Sequence, residues 1–309
     1  MSKIILSSIL KENLFYQIEY GQSKNQFEYF RIAIGCFSLL FFIFFLLDYN
    51  LLLSSTGLIT WEVSNANSYS FEPSFYKLSN FLGIEGNAVQ NFAIALYMIC
   101  LLSIIAGRFV QITAFVAFII FRIFCIQLVP FVHGVELYQS VFLLFLIIFP
   151  SGISNTGKKV NSNNNTNKSQ QYAIRGLQWF LIFTYTSAGY HKSLMPQWYN
   201  GEMIYSVISD PNYQFLEFPT NLPSYIYIIL GVSTLVVEFG YSIFLLIPYL
   251  RSFLVVSVVM MHLFICLFMS LIPFGLLLAS ANIVLWYPLI VADFKKIIKN
   301  HEKLNANFP

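Results

Sequence analysis

Lys192 is the residue in this sequence with the clearest potential for chemistry in an apolar setting. It follows Thr184–Tyr185–Thr186–Ser187–Ala188–Gly189–Tyr190–His191, where small side chains at Thr184, Ser187 and Ala188 leave room beside it. An amine enclosed by apolar groups loses the hydration that favours its charged form and becomes able to accept a proton near neutral pH. That chemistry is general base catalysis. The structural alternative is a lysine that snorkels from a helix end, favoured by the negative pole of the helix C-terminus. Five other ionisable residues lie in or beside apolar runs: Arg122, His133, His191, Glu238 and His262. Each is costly in lipid and marks a candidate site, with a structural salt bridge or interhelical hydrogen bond as the competing role. On a continuous helix, Thr234, Tyr241 and Ser242 would share the face of Glu238, and Cys266 and Met269 that of His262. A polar cavity open to one side of the membrane would account for all six, with Trp198 close to Lys192.

Other chemistries lack their residues. The sequence has no Gly-rich phosphate loop, CxxC or HExxH. Cys36, Cys100, Cys125 and Cys266 each fall in an apolar run and none pairs by spacing with a histidine, so they read as packing thiols rather than a disulfide framework or zinc site. No metal is expected.

The elements that must position these residues are membrane helices. Of 309 residues, 57% are apolar and only 10% charged, against roughly 25% charged in ordinary soluble domains. So few charges cannot cover a globular surface in water, and lipid is the expected solvent. The expected fold is an all-α integral membrane protein, a polytopic bundle of eight transmembrane helices. The spans are read at about 29–48, 89–107, 109–129, 134–150, 173–191, 224–248, 252–270 and 272–291, each near the roughly 20 residues a span needs. The runs are continuous rather than alternating, which excludes a β-barrel. Residues 1–28 form a cytoplasmic segment in which Leu6, Leu10, Leu14 and Ile18 suit a helix lying in the interface. Residues 292–309 are a basic cytoplasmic tail. The long connections are outer loops 49–88 and 192–223 and a polar inner linker, 151–172.

Orientation follows from basic residues, which favour the cytoplasmic side. With both termini inside, all but three of the 17 Lys and Arg residues fall in the cytoplasm. The exceptions are Lys77 and Lys192, outside, and Arg122, within a span. A net charge of +3 gives no reason to expect nucleic acid. No pair of spans is broken by Gly or Pro in a repeated way, which disfavours a transporter.

The stretch from Arg175 to Gly201, with Tyr185–Thr186–Ser187–Ala188–Gly189–Tyr190–His191–Lys192 followed by Trp198 and Gly201, resembles the central signature of the vitamin-K-dependent γ-carboxylase superfamily. Its bacterial members are called horizontally transferred transmembrane (HTTM) proteins. Further matches keep the same order: Arg31–Ile32–Ala33–Ile34–Gly35, Thr56–Gly57–Leu58, His133 with Glu136–Leu137–Tyr138, Glu238, then Met261–His262–Leu263 with Ile272–Pro273–Phe274. The resemblance covers residues 28–290. It implies a membrane-embedded enzyme in which Lys192 deprotonates a reduced quinone and His133 assists or orients the reaction. His191, His262, Glu238, Arg122 and Trp198 would line the supporting cavity. This sequence departs from the pattern in having a single lysine, one extra residue before Trp198, and Ile265 where the family has Asn. It also lacks the carboxylase's large soluble region. Its size matches small bacterial members, among them a subunit that matures a secreted sporulation-delaying toxin with a partner protein. The resemblance therefore implies a cytoplasmic-membrane location, a quinone cofactor, and a secreted peptide and maturation partner beside the lipid bilayer itself. The alternative is a non-catalytic membrane partner that keeps the fold.

Overall fold

The computed structural model describes residues 25–48, 72–127, 134–152, 164–210 and 215–306, with a few isolated positions between 51 and 65. The interfacial helix expected before residue 25, His133, and much of the loop 49–88 lie outside the described residues. Among those described, the elements are helical: α1 Gln26–Leu47, α2 Phe75–Leu82, α3 Gly86–Ala106, α4 Val110–Gln127, α5 Val135–Ile148, α6 Asn164–Ser193, α7 Glu202–Ser209, α8 Ser224–Phe239, α9 Tyr241–Phe244, α10 Pro248–Phe268 and α11 Ile272–Ala306, with a 3-10 turn at Pro196–Trp198. Five are long and apolar enough to cross a membrane: α1, α3, α4, Leu250–Phe268 of α10 and Ile272–Lys295 of α11. The chain is thus a helical, multi-pass membrane protein by length and composition. Two other expected spans are shorter apolar helices, α5 with 14 residues and α8 with 16. At 1.5 Å per residue α5 is roughly 21 Å long, less than a hydrocarbon core of about 30 Å. Large apolar side chains such as Phe92, Ile112, Phe183 and Phe253 face outward, each about two-thirds exposed. In water that surface would drive association; against lipid tails it needs no cover.

The chain divides into two compact units, Phe27–Ala173 and a second comprising Met1–Gln26 with Ile174–Pro309. In the first, α2 packs on α3, α3 on α4 and α4 on α5. Its core is aromatic: Phe42 lies 4.6 Å from Tyr97 and 5.2 Å from Phe124, and Phe75 sits 5.1 Å from Phe124. The Tyr97 hydroxyl, buried in that core, accepts from Gln139 Nε2 at 2.7 Å. A polar knot closes one end. Gly107, at φ +73°, ends α3 in the left-handed conformation that a side chain would disfavour. Arg31 donates there to the carbonyls of Ile104 and Ile105, satisfying the helix's last acceptors. Glu28 neutralises Arg31 at 3.0 Å and accepts from the Gly152 amide at 2.9 Å.

In the second unit, α10 and α11 form the dominant helix pair. Here the span expected over 224–248 is interrupted. The α8 helix stops at Phe239, and a single turn, α9, precedes Ile247 and Pro248. Pro248 has no N–H to continue a helix, and Ile247 before it is extended at φ −104°. Gly240 adds the low helix propensity that permits the break. Tyr241, in that single turn, is fully buried and stacks on Tyr185 of α6 at 4.5 Å. The last helix outruns its apolar span, which ends at Lys295; α11 continues as helix to Ala306.

Pro288 sits inside α11. It removes the N–H that would bond the Val284 carbonyl and crowds that turn. Gln26 Nε2 takes over, donating to Val284 O at 2.9 Å and Leu285 O at 3.0 Å, while Gln178 Nε2 donates to Leu285 O at 2.8 Å. Gln26→Ala leaves the Val284 carbonyl without this donor and should lower stability by about 1–2 kcal/mol. Pro288→Ala restores the helical bond and should make Gln26→Ala nearly silent. Unfolding in mild detergent measures both. Equal losses from Gln26→Ala with and without Pro288 would refute this account.

Candidate functional site

Gly189 brings α6 against α8. A Cβ there would overlap the backbone nitrogen of Phe239 and fall 2.7 Å from its Cα and 2.8 Å from the Glu238 carbonyl carbon. Only glycine allows two helix backbones this close. Lys192 lies three residues on, along the same face of α6, and meets Glu238 directly: Nζ is 2.6 Å from Oε1. The lysine side chain is 29% exposed and the carboxylate side chain 6%, so the amine is the open end of the pair and the carboxylate its buried end. Gly201, at φ +78°, turns the chain from Trp198 into α7, and Gly231 of α8 leaves space for the Trp198 carbonyl. The indole is thereby set with its ring centroid 4.8 Å from Lys192 Nζ, a cation–π contact.

A second cluster fills the core of the same unit. Tyr185 OH is 2.5 Å from His262 Nε2, and Asn282 Nδ2 donates to Tyr185 OH at 2.9 Å. Tyr241 OH donates to Asn282 Oδ1 at 2.7 Å, and Trp286 Nε1 donates to Tyr241 OH at 2.8 Å. The Tyr185 and Tyr241 rings stack at 4.5 Å. Gly275 allows α11 to close on α10 beside the His262 carbonyl and Cys266. Two buried polar atoms, Glu238 Oε2 and His262 Nδ1, have no hydrogen-bond partner among the described residues. Buried polar atoms are seldom left so.

The structure thus brings together Lys192, Glu238 and Trp198, with His262 in the adjoining network. His191 is exposed, its ring edge-on to Tyr190 at 5.6 Å. Arg122 is half-buried on α4 and belongs to the other unit. Cys100, Cys125 and Cys266 are buried and Cys36 exposed, all as free thiols. Among the described residues, no group of three or more His, Cys, Asp or Glu side chains is placed to hold a metal ion. Sequence reasoning missed Asn282 and Trp286. The signal was present in Asn282, an amide within an apolar run, which lipid makes costly unless it is bonded.

No family model, curated protein or solved structure matches this chain. Its function rests on the geometry of the site itself.

Proposed function

We propose that this chain is an eight-span protein of the cytoplasmic membrane with both termini inside, resembling the carboxylase-like HTTM superfamily, and that Lys192 and Glu238 form an acid–base site reached from the outer side. The single observation that carries this reading is the 2.6 Å contact between a part-exposed amine and a buried carboxylate. In this reading one proton moves between the two groups across that contact. When it resides on Glu238, Lys192 is a neutral amine able to accept another at Nζ. Once Lys192 has taken that second proton, its ammonium stands beside the anion it has produced and stabilises it. Glu238 thus stores one proton while Lys192 makes and holds the new charge.

The residues fit a reduced quinone. Trp198 offers a flat apolar face, Lys192 a polar end, and Glu238 Oε2 a free acceptor. Bound there, a hydroquinone supplies an acidic O–H and reducing equivalents. The work this supports is maturation of a secreted peptide together with a partner protein. The experiment compares, by mass, peptides secreted by cells with and without the intact gene. A mass change that disappears with the gene supports the reading, and identical spectra overturn it.

A second reading has its own observation. The Lys192 ammonium is engaged at once by Glu238 and by the Trp198 ring, as a purely structural pin between α6 and α8 would be. The chain would then be a non-catalytic partner.

The eight-span topology is tested separately. In a background lacking Cys36, Cys100, Cys125 and Cys266, new cysteines at Ser68 and Asn212 should react with an impermeant thiol reagent added from outside, and one at Asn163 should not. Outside labelling at Asn163 would reject the topology.

A further inference from the structure

The short helix α2 is amphipathic, and the protein covers its apolar face only at one end. The helical repeat groups Phe75, Leu78, Phe81 and Leu82 within an arc of about 120°, leaving Tyr76, Lys77, Ser79 and Asn80 on the rest of the surface. Phe75 is buried, its ring 5.1 Å from that of Phe124 on α4. The same face then runs out of protein. Phe81 is 86% exposed, and Leu78, Leu82 and the following Ile84 are exposed with it.

The spans fix where this face lies. Both α3 and α4 are long and apolar enough to cross a membrane, and they pack on each other, joined by residues 107–109. The start of α3 at Gly86 and the end of α4 at Gln127 therefore share one membrane face. Phe124 is three residues inside that end, about 4.5 Å along the helix axis. The first residue of α2 thus rests on α4 just below its end, and its last residue, Leu82, precedes the start of α3 by four. Both ends of α2 sit near the same membrane boundary, so the helix, about 12 Å long, lies across the spans rather than along them. Gly83, at φ +64°, ends α2 and donates to the Ser79 carbonyl, while Ser79 Oγ donates to the Ile84 carbonyl at 2.8 Å. These bonds close the corner into α3. Because Phe75 turns toward Phe124, the apolar face turns toward the membrane interior.

We infer that α2 is an interfacial anchor whose occupant is lipid: Leu78, Phe81 and Leu82 enter the acyl chains of one leaflet, and the side carrying Ser79 and Asn80 faces water. A helix with one apolar face lies in the boundary between headgroups and acyl chains when that face meets hydrocarbon. Here hydrocarbon begins where α3 and α4 end, directly beneath the uncovered face. Insertion holds the entry to α3 at a fixed depth. The inference is independent of the Lys192 site and of which side of the membrane faces the cytoplasm.

The test is spin labelling of the full chain in vesicles of phosphatidylcholine and phosphatidylglycerol. In a background lacking Cys36, Cys100, Cys125 and Cys266, labels are placed singly through Leu78→Cys, Asn80→Cys, Phe81→Cys and Leu82→Cys. Labels at 78, 81 and 82 should collide mainly with oxygen, which concentrates in lipid. The label at 80 should collide mainly with a water-soluble nickel chelate, so the ratio of the two rates inverts between Phe81 and Asn80. A second measurement needs no substitution. Wild-type protein is irradiated in vesicles containing a phosphatidylcholine with a diazirine on its acyl chain, and fragmentation mass spectrometry should find lipid attached within Leu78–Ile84. Nickel-dominated collisions at 81 would place the face in water and overturn the inference. A label at 81 shielded from both probes would mean that protein, a second copy or a partner, covers the face, and overturns it equally. So does the absence of attached lipid between Leu78 and Ile84.

Discussion

Lys192→Arg should abolish maturation of the secreted peptide while leaving the protein folded. Arginine keeps the positive charge, reaches Glu238 and stacks on Trp198, so the pin between α6 and α8 survives. Its guanidinium cannot give up a proton in a protein, so the neutral base that Lys192 forms across the 2.6 Å contact with Glu238 is lost. A positioned base contributes typically 10²–10⁴-fold, and the fall in rate should lie in that range. Thermal melting in detergent should stay close to wild type. Peptide mass spectra read the first quantity and the melt reads the second. Full maturation by Lys192→Arg would remove Lys192 as base and leave the structural pin as its role.

The second large effect is on stability and comes from breaking the pair unequally. Lys192→Ala strands the Glu238 carboxylate, 5% exposed as a residue, with its charge unmatched. Removing one partner of a buried ion pair costs about 3–5 kcal/mol. Because Lys192 is partly solvated, the loss here should fall at the lower end, about 3 kcal/mol. Glu238→Gln should cost less, since the amine left behind is the exposed end and can hydrate. Combining Lys192→Ala with Glu238→Gln removes both charges and should cost less than the sum of the two single losses. Unfolding of the four proteins in mild detergent gives the coupling energy as a double-mutant cycle. Simple additivity of the single losses would show that the two side chains are not energetically paired.

The sequence by itself determined the solvent and the kind of element. So few charges among so many apolar residues admit only a lipid-facing chain, and continuous apolar runs admit only helices. Run lengths alone identified α1, α3, α4, α10 and the membrane part of α11. Lys192, Glu238 and His262 were legible because ionisable groups in lipid stand out one residue at a time. Their partners were decided by tertiary structure. Nothing local links Lys192 to Glu238, 46 residues away. That contact exists because Gly189 lets two backbones touch, and a glycine's neighbour is set by packing rather than by sequence spacing. Helical periodicity offered Tyr241 as a neighbour of Glu238; only the fold supplied its partners, Tyr185, Asn282 and Trp286. Asn282 is the sharpest instance. Its sequence context says that an amide in lipid needs partners, and only the fold supplies them, from Tyr241, Tyr185 and Leu278.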